Sequence, residues 1–98
     1  LLLQVADIFH VMAKDDYSYI FTDGERYLST LSLADLEGKL VSQGFFRVHR
    51  RYLVNLAQVR EVAPMYGGTM ELTLKDAAAT RVPLSRRRAP ALKRALGL

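Results

Sequence analysis

The most informative stretch of the chain is Phe45-Phe46-Arg47-Val48-His49-Arg50-Arg51-Tyr52-Leu53-Val54-Asn55-Leu56. Three arginines and one histidine lie within five residues of this stretch, between two apolar runs. Buried strands do not carry charge at this density, whereas a loop that binds a polyanion does. The stretch therefore predicts a loop that contacts a polyanion.

Composition limits the classes of protein to which the chain can belong. Its 98 residues, half of them apolar, predict one folded domain over residues 1–98. The absence of cysteine excludes disulfides and thiolate metal sites and fits a cytoplasmic protein. No apolar run approaches the roughly 20 residues that span a bilayer. Because residue 1 is not Met, we expect the C-terminal part of a longer protein.

Charge is divided unevenly along the chain. Residues 1–40 contain three cations and seven anions, a net charge of −4, whereas residues 41–98 contain eleven cations and three anions, a net charge of +8. This division can give the folded domain one basic face for an anionic partner. The alternative is a solvated surface on which charge is merely uneven.

Strand patterns outnumber helix patterns. They occur at residues 8–12, 17–22, 26–30, 59–65, 69–75 and 80–82. Turns at Asp23-Gly24 and Gly67-Gly68 predict hairpins over 17–30 and 59–75, because glycine tolerates positive φ. The pattern indicates a mainly β, β-rich α+β fold with antiparallel sheets.

Two segments are predicted to be helical. Residues 32–42 have Ser32 as a candidate N-cap, an apolar stripe, and Gly44 in position to end the helix. Residues 90–96 form a shorter candidate that begins with Pro90, a residue suited to a first helical turn.

A second arginine cluster, Ser85-Arg86-Arg87-Arg88, follows the last strand pattern. Arginine binds phosphate oxygens in pairs and reads guanine edges in the major groove, so the cluster indicates DNA binding. The alternative is a solvated triplet at a fraying C-terminus. For the first cluster, the alternatives are that Arg47 pairs with a carboxylate and that His49 is a hydrogen-bonded structural histidine.

The segment Lys14-Asp15-Asp16-Tyr17-Ser18-Tyr19 is the third candidate. Its hydroxyls could contact phosphates or base edges if this loop faces DNA. Its two aspartates also allow a small metal-dependent nuclease that uses Asp15, Asp16 and a histidine. The chain has no Gly-rich phosphate loop, nucleophile elbow, helix-turn-helix spacing or zinc-finger spacing.

The stretch from Phe45 to Asn55 closely resembles the signature of the LytTR DNA-binding domain, Phe-x-Arg-x-His-Arg-Ser-Tyr-x-Val-Asn, with Arg51 in place of the usual Ser. Supporting similarity extends over nearly the whole chain, from Asp7-Ile8 to the segment 82–86. The resemblance implies an elongated domain of small antiparallel sheets with one short helix, and the sequence adds a possible C-terminal helix. It also implies a bacterial transcription regulator that inserts loops into the major groove and binds paired direct repeats as a dimer.

The resemblance implies the base contacts and the backbone contacts of Arg47, Arg51, Arg87 and Arg88, and the residue types themselves add Lys14, Tyr17 and His49. Predicted base contacts are Ser18, Arg50 and Arg86. Predicted contacts to the DNA backbone are Lys14, Tyr17, Arg47, His49, Arg51, Arg87 and Arg88. Asn55 is expected to fix a turn through side-chain hydrogen bonds rather than to touch DNA.

The sequence therefore predicts sequence-specific binding of double-stranded DNA, without catalytic activity, a cofactor or a membrane partner. Expected partners are duplex DNA, a second copy on DNA, and an N-terminal receiver or sensory domain, as in response regulators of two-component systems. The metal-dependent nuclease and a non-specific RNA or polyanion binder stay open as alternatives.

Overall fold

The computed structural model describes residues 3–98, which form eight strands and two α-helices. In chain order these are β1 (His10–Lys14), β2 (Tyr17–Phe21), β3 (Arg26–Ser29), α1 (Leu33–Leu40), β4 (Phe45–His49), β5 (Tyr52–Asn55), β6 (Val59–Pro64), β7 (Met70–Leu74), β8 (Arg81–Leu84) and α2 (Ala89–Ala95). Short 3-10 turns lie at Val5–Asp7, Val41–Gln43 and Leu56–Gln58. Within the described residues, neither α-helix is long and apolar enough to cross a membrane.

The strands form two antiparallel sheets. The larger has the order β3-β2-β1-β5-β4 and the smaller has the order β6-β7-β8. The described residues measure 38 × 26 × 24 Å along their principal axes, a moderately elongated shape. The predicted fold class is confirmed, including the short helix and the second helix at the C-terminal end.

The larger sheet buries both of its faces. Leu53 and Val54 are neighbours in β5 and point to opposite faces, as the two-residue period of a strand requires. One face packs on α1 through Ile8, Val11, Leu33, Leu36, Leu40, Phe45 and Leu53. The other packs on the smaller sheet and α2 through Val48, Val54, Leu72, Leu74, Val82, Leu84, Ala89 and Leu92. Each fully buried Leu or Val contributes about 1.5–3 kcal/mol, so this second cluster holds the two sheets in fixed relation.

Local sequence signals located most elements correctly. Both predicted hairpins form, with turns at Asp23-Gly24 and Gly67-Gly68. The Ser32 hydroxyl accepts the Asp35 N–H at 3.1 Å and caps α1. Gly44, with φ 86°, ends the helical region after one 3-10 turn. The first strand begins at His10 rather than at residue 8, because Val5–Asp7 turns and Ile8 packs into the core.

The cationic stretch is a β-hairpin rather than a long loop. Only Arg50 and Arg51 form the turn between β4 and β5. A bulge between Arg47 and His49 inserts Val48 as an extra residue, and its side chain is fully buried. The apolar residues around the arginines are therefore strand residues, which brings the charges to one end of a rigid hairpin.

Candidate nucleic-acid interface

Arg47 braces the β4–β5 turn from inside. Its Nη1 donates to Glu37 Oε1 on α1 at 3.0 Å, its Nε donates to the His49 carbonyl at 2.9 Å, and its Nη2 donates to the Arg50 carbonyl. The side chain is only 17% exposed. The predicted backbone contact at Arg47 is therefore not supported, because its guanidinium is engaged within the protein. The alternative, pairing with a carboxylate, is what the structure shows.

His49 fixes the same turn from its other side. Its Nδ1 accepts the Arg51 N–H at 3.1 Å, and its ring packs edge-on against Tyr52 at 5.6 Å between centroids. Burial and then the neighbouring arginines, Arg50 foremost, lower the pKa of His49 below its usual value. A neutral imidazole that accepts at Nδ1 carries its hydrogen on Nε2. The half-buried ring thus keeps one donor with which it could contact a phosphate.

Arg50 and Arg51 form the exposed tip of this hairpin. The Arg51 guanidinium donates to the Ala13 carbonyl from Nε at 3.3 Å and from Nη2 at 3.1 Å. The Ala13 N–H donates in turn to the Arg51 carbonyl at 2.8 Å. These bonds tie the β4–β5 turn to the β1–β2 hairpin, so two of the predicted contact segments are neighbours.

The β1–β2 connection is a two-residue turn, with Lys14 opposite Tyr17 and Asp15 at φ 56°. Lys14 and Tyr17 are exposed, and their contacts with DNA stay a prediction.

The position of Ser18 differs from the one predicted for this segment. Its side chain has no exposed surface, and its buried hydroxyl has no hydrogen-bond partner among the described residues. A fully buried side chain cannot reach a base edge without rearrangement, so the structure does not support the assignment of Ser18 as a base contact. The cause is strand periodicity: Ser18 points to the same face as Ile20, which packs against the α1 core.

The second arginine cluster lies directly beside the first. The Ser85 N–H donates to the Val48 carbonyl at 2.8 Å, and the Ser85 carbonyl accepts the N–H groups of Arg88 and Ala89 at 3.0 Å. Arg88 Nη1 lies 3.4 Å from the Arg47 carbonyl oxygen, to which it donates. A groove is lined by His49, Arg50, Ser85, Arg87 and Arg88. The two clusters, which are separate in sequence, thus form one cationic surface.

A further turn, between β6 and β7, lies next to the second cluster. Met70 pairs with Leu84, so the residues before Met70 run beside those after Leu84. A Cβ atom built on Gly68 would lie 3.7 Å from Arg86 Nη1, which shows that the Arg86 guanidinium passes over this turn. Sequence reasoning did not connect this turn with the interface.

Four turns thus lie at one end of the two sheets, which we call the basic end: residues 14–17, 49–52, 65–69 and 85–88. Its exposed or half-exposed cations are Lys14, Arg50, Arg51, Arg86, Arg87 and Arg88, against the two carboxylates Asp15 and Asp16. At the opposite end, the Asp23 carboxylate accepts the Ala77 N–H at 3.1 Å and joins the β2–β3 and β7–β8 turns. The strand directions therefore bring the cationic turns together at one end of the two sheets.

Asn55 has the structural role expected of it. The side chain is buried, its Nδ2 donates to the Ile8 carbonyl at 3.0 Å, and its Oδ1 accepts the Ala57 N–H at 3.1 Å. It lies at the end of β5 remote from the basic end.

The described part of the chain contains no group of three or more His, Cys, Asp or Glu side chains that could hold a metal ion. His10, the other histidine, is buried and stacks on Phe21 with centroids 4.3 Å apart. The metal-dependent nuclease hypothesis therefore finds no support in the arrangement around Asp15 and Asp16.

Comparison with known proteins identifies the family. A profile of the LytTr DNA-binding domain matches residues 1–97, and the chain belongs to this family. The resemblance predicted from the sequence is thus confirmed. A solved LytTr DNA-binding domain of a putative methyl-accepting/DNA response regulator from Bacillus cereus superposes with a TM-score of 0.84 at 25% identity, covering 98% of this chain and 86% of that one.

Curated relatives include two proteins named as transcriptional regulators and one named as a sensory transduction protein. The heme-containing CO-sensing transcriptional regulator RcoM 2 of Paraburkholderia xenovorans is 41% identical over the whole chain, which covers 36% of that protein. The transcriptional regulatory protein YpdB of Escherichia coli K12 is 34% identical over 84% of the chain, and 33% of that protein is covered. The sensory transduction protein LytT of Oceanobacillus iheyensis is 38% identical over 78% of the chain, and 31% of that protein is covered. The chain thus spans about a third of these relatives, and the family supports DNA binding in transcription regulation.

Proposed function

We propose that this domain binds double-stranded DNA sequence-specifically through its basic end, with the arginine-bearing turns inserted into the major groove. The observation that carries the proposal is the hydrogen bond from the Ser85 N–H to the Val48 carbonyl. Because of this bond, Arg50, Arg87 and Arg88 line one groove, and Arg86 lies between Ser85 and Arg87 in the same turn. Six cations at one end of a domain 38 Å long suit a duplex whose helical turn is about 34 Å.

Arg50 and Arg86 are proposed as the base-reading residues. Both are exposed, and both project from turns that are held by backbone hydrogen bonds or packing. An arginine fork can donate two bonds to guanine O6 and N7. Because the turns are already rigid, only the arginine side chain loses conformational freedom on binding, which lowers the entropy cost of this readout.

Contacts to the DNA backbone are proposed for the remaining exposed or half-exposed groups of the basic end. Arg51 and Arg88 are partly anchored by carbonyl groups, so each presents its charge in a restricted position. Such contacts fix register and account for salt dependence without reading sequence. The proposed set is Lys14, Tyr17, His49, Arg51, Arg87 and Arg88.

At the level of the whole regulator, we propose one LytTR-type domain over residues 1–98, C-terminal to a receiver or sensory domain in a cytoplasmic protein without catalytic activity. The greater length of the relatives supports such additional segments. Two copies bind paired direct repeats, each with its basic end toward the duplex.

The proposal is tested by arginine substitutions measured on a preferred duplex and on single-base variants of it. Arg86→Ala and Arg50→Ala should each cost about 1–3 kcal/mol of binding free energy and relax specificity at one base pair. Arg60→Ala is the matched control, because Arg60 is exposed at the start of β6, at the other end of the sheets. Unchanged affinity and preference in Arg86→Ala would refute its assigned readout.

A non-specific polyanion binder is the alternative that this experiment also addresses. Such a protein would lose affinity equally for all sequences, RNA included, in each arginine variant. The described residues hold the arginines in defined turns rather than in a mobile tail, which favours readout over charge alone.

A further inference from the structure

We propose that the β6–β7 turn is an additional DNA-contacting element, in which the Tyr66 hydroxyl donates a hydrogen bond to a backbone phosphate beside the base pair read by Arg86. This inference rests on the proposed function and extends it to a residue outside the two arginine clusters. It assigns a role to a turn that neither charge nor the signature of the cationic stretch singles out.

Strand register places this turn at the interface. Met70 pairs with Pro64 on one side and with Leu84 on the other, so the turn projects beyond the end of β8 where the arginine cluster begins. The Met65 N–H donates to the Thr69 carbonyl at 2.7 Å and closes the turn. The turn and the arginine cluster are therefore level with each other at the basic end.

The close approach of Arg86 to the turn supports the register. A Cβ on Gly68 would lie 3.7 Å from Arg86 Nη1 and 3.9 Å from Arg86 Cζ, so the guanidinium lies close to the turn at Gly68. Gly68 has φ 82° and Gly67 has φ 85°, conformations that glycine adopts without strain. The glycines thus allow a tight turn. Gly68, which lies beside the Arg86 guanidinium, is only two residues from Tyr66.

Tyr66 itself has the exposure and chemistry that a phosphate contact requires. Its relative exposure is 102%, so the ring makes no contribution to the core. Tyrosine hydroxyls are established donors to phosphate oxygens, and a bond to a charged oxygen is stronger than a neutral one. Because the phenol is uncharged, the contact adds affinity without releasing a counterion.

The experiment is a comparison of Tyr66→Phe with the wild type on the selected duplex over a range of salt concentrations. We expect affinity to fall roughly 10-fold while the slope of log affinity against log salt stays the same. Tyr27→Phe is the matched control, since Tyr27 lies in β3 toward the opposite end and should bind as the wild type does. Because Tyr66 is fully exposed, Tyr66→Phe and the wild type should unfold at the same denaturant concentration.

The position of the contact is tested with duplexes that carry a neutral methylphosphonate at one phosphate at a time. At the phosphate beside the Arg86-dependent base pair, the loss of charge should weaken both proteins, but the wild type should lose roughly 10-fold more affinity than Tyr66→Phe, because only the wild type also loses the hydrogen bond. Wild-type affinity in Tyr66→Phe, or an equal loss in both proteins at that phosphate, would overturn the proposal for Tyr66. Failure of the wild type to prefer any duplex would instead refute the proposed function.

Discussion

Arg47 provides a sharp test, because sequence and structure give it different roles. The sequence predicts a phosphate contact, whereas the structure places its guanidinium between Glu37 and the carbonyls of His49 and Arg50. If Arg47 only positions the turn, Arg47→Met should destabilise the fold and weaken DNA binding indirectly. Arg47→Lys should also destabilise the fold, because an ammonium group cannot make the three hydrogen bonds of the planar guanidinium.

The magnitude follows from the three hydrogen bonds. The bond to Glu37 is partly solvated, since the Glu37 side chain is 37% exposed, so it contributes at most about 1 kcal/mol. The two bonds to backbone carbonyls come from a charged donor, the one to His49 in a partly buried site and the one to Arg50 in an exposed site, and contribute about 1–1.5 kcal/mol each. We expect Arg47→Met to lower the free energy of unfolding by about 3 kcal/mol, and Glu37→Gln by less than about 1 kcal/mol.

Two assays distinguish the roles. Urea denaturation gives the free energy of unfolding, and titration with the preferred duplex at several salt concentrations gives the slope of log affinity against log salt. The bracing role predicts loss of stability in both Arg47 variants and an unchanged salt slope. If Arg47→Lys kept wild-type stability and Arg47→Met flattened the slope by about one, Arg47 would be a phosphate contact and our reasoning would be refuted.

Three further outcomes are expected. Arg87→Ala should weaken all duplexes alike and flatten the salt slope by roughly one, as measured by titration; an effect confined to one sequence would contradict this. Burial lowers the pKa of His10 to about 4, below its usual 6.5, so the unfolded chain binds more protons between these values. The free energy of unfolding should therefore rise by about 3 kcal/mol as pH increases through this window, and denaturation of His10→Phe should lack that contribution. Asn55→Ala should cost about 2–4 kcal/mol in denaturation, because the Ile8 carbonyl and Ala57 N–H lose their partner, with DNA affinity of the folded protein unchanged.

Features encoded by a few adjacent residues were predictable from the sequence. Asp23-Gly24 and Gly67-Gly68 specify turns because glycine takes positive φ there, and Ser32 specifies a helix start through its hydroxyl. The resemblance in the cationic stretch added the family, which the profile match confirms.

Features that depend on distant pairing were not predictable. The bond between Ser85 and Val48, and the contact of Arg86 with Gly68, join segments whose spacing in the chain carries no signal. The sequence left open that Arg47 pairs with a carboxylate, but it could not identify Glu37, which lies on a helix ten residues earlier. These contacts determine which cations face outward.

Ser18 is a different case, since the sequence did contain the relevant signal. Ser18 alternates in phase with Ile20, which places both on the face of β2 that packs toward α1. Alignment to a loop of the family outweighed this alternation. The exposed members of that segment, Lys14 and Tyr17, stay predicted contacts.

The central claim is that the basic end reads DNA sequence, and selection of bound duplexes from a random pool tests it most directly. The selection is done at physiological salt, and the bound fraction is sequenced. We predict enrichment of two direct repeats about one helical turn apart, with enrichment at one base pair of each repeat lost in Arg86→Ala. A pool that stays random, with binding that falls steeply as salt rises, would contradict the account and leave charge as the basis of binding.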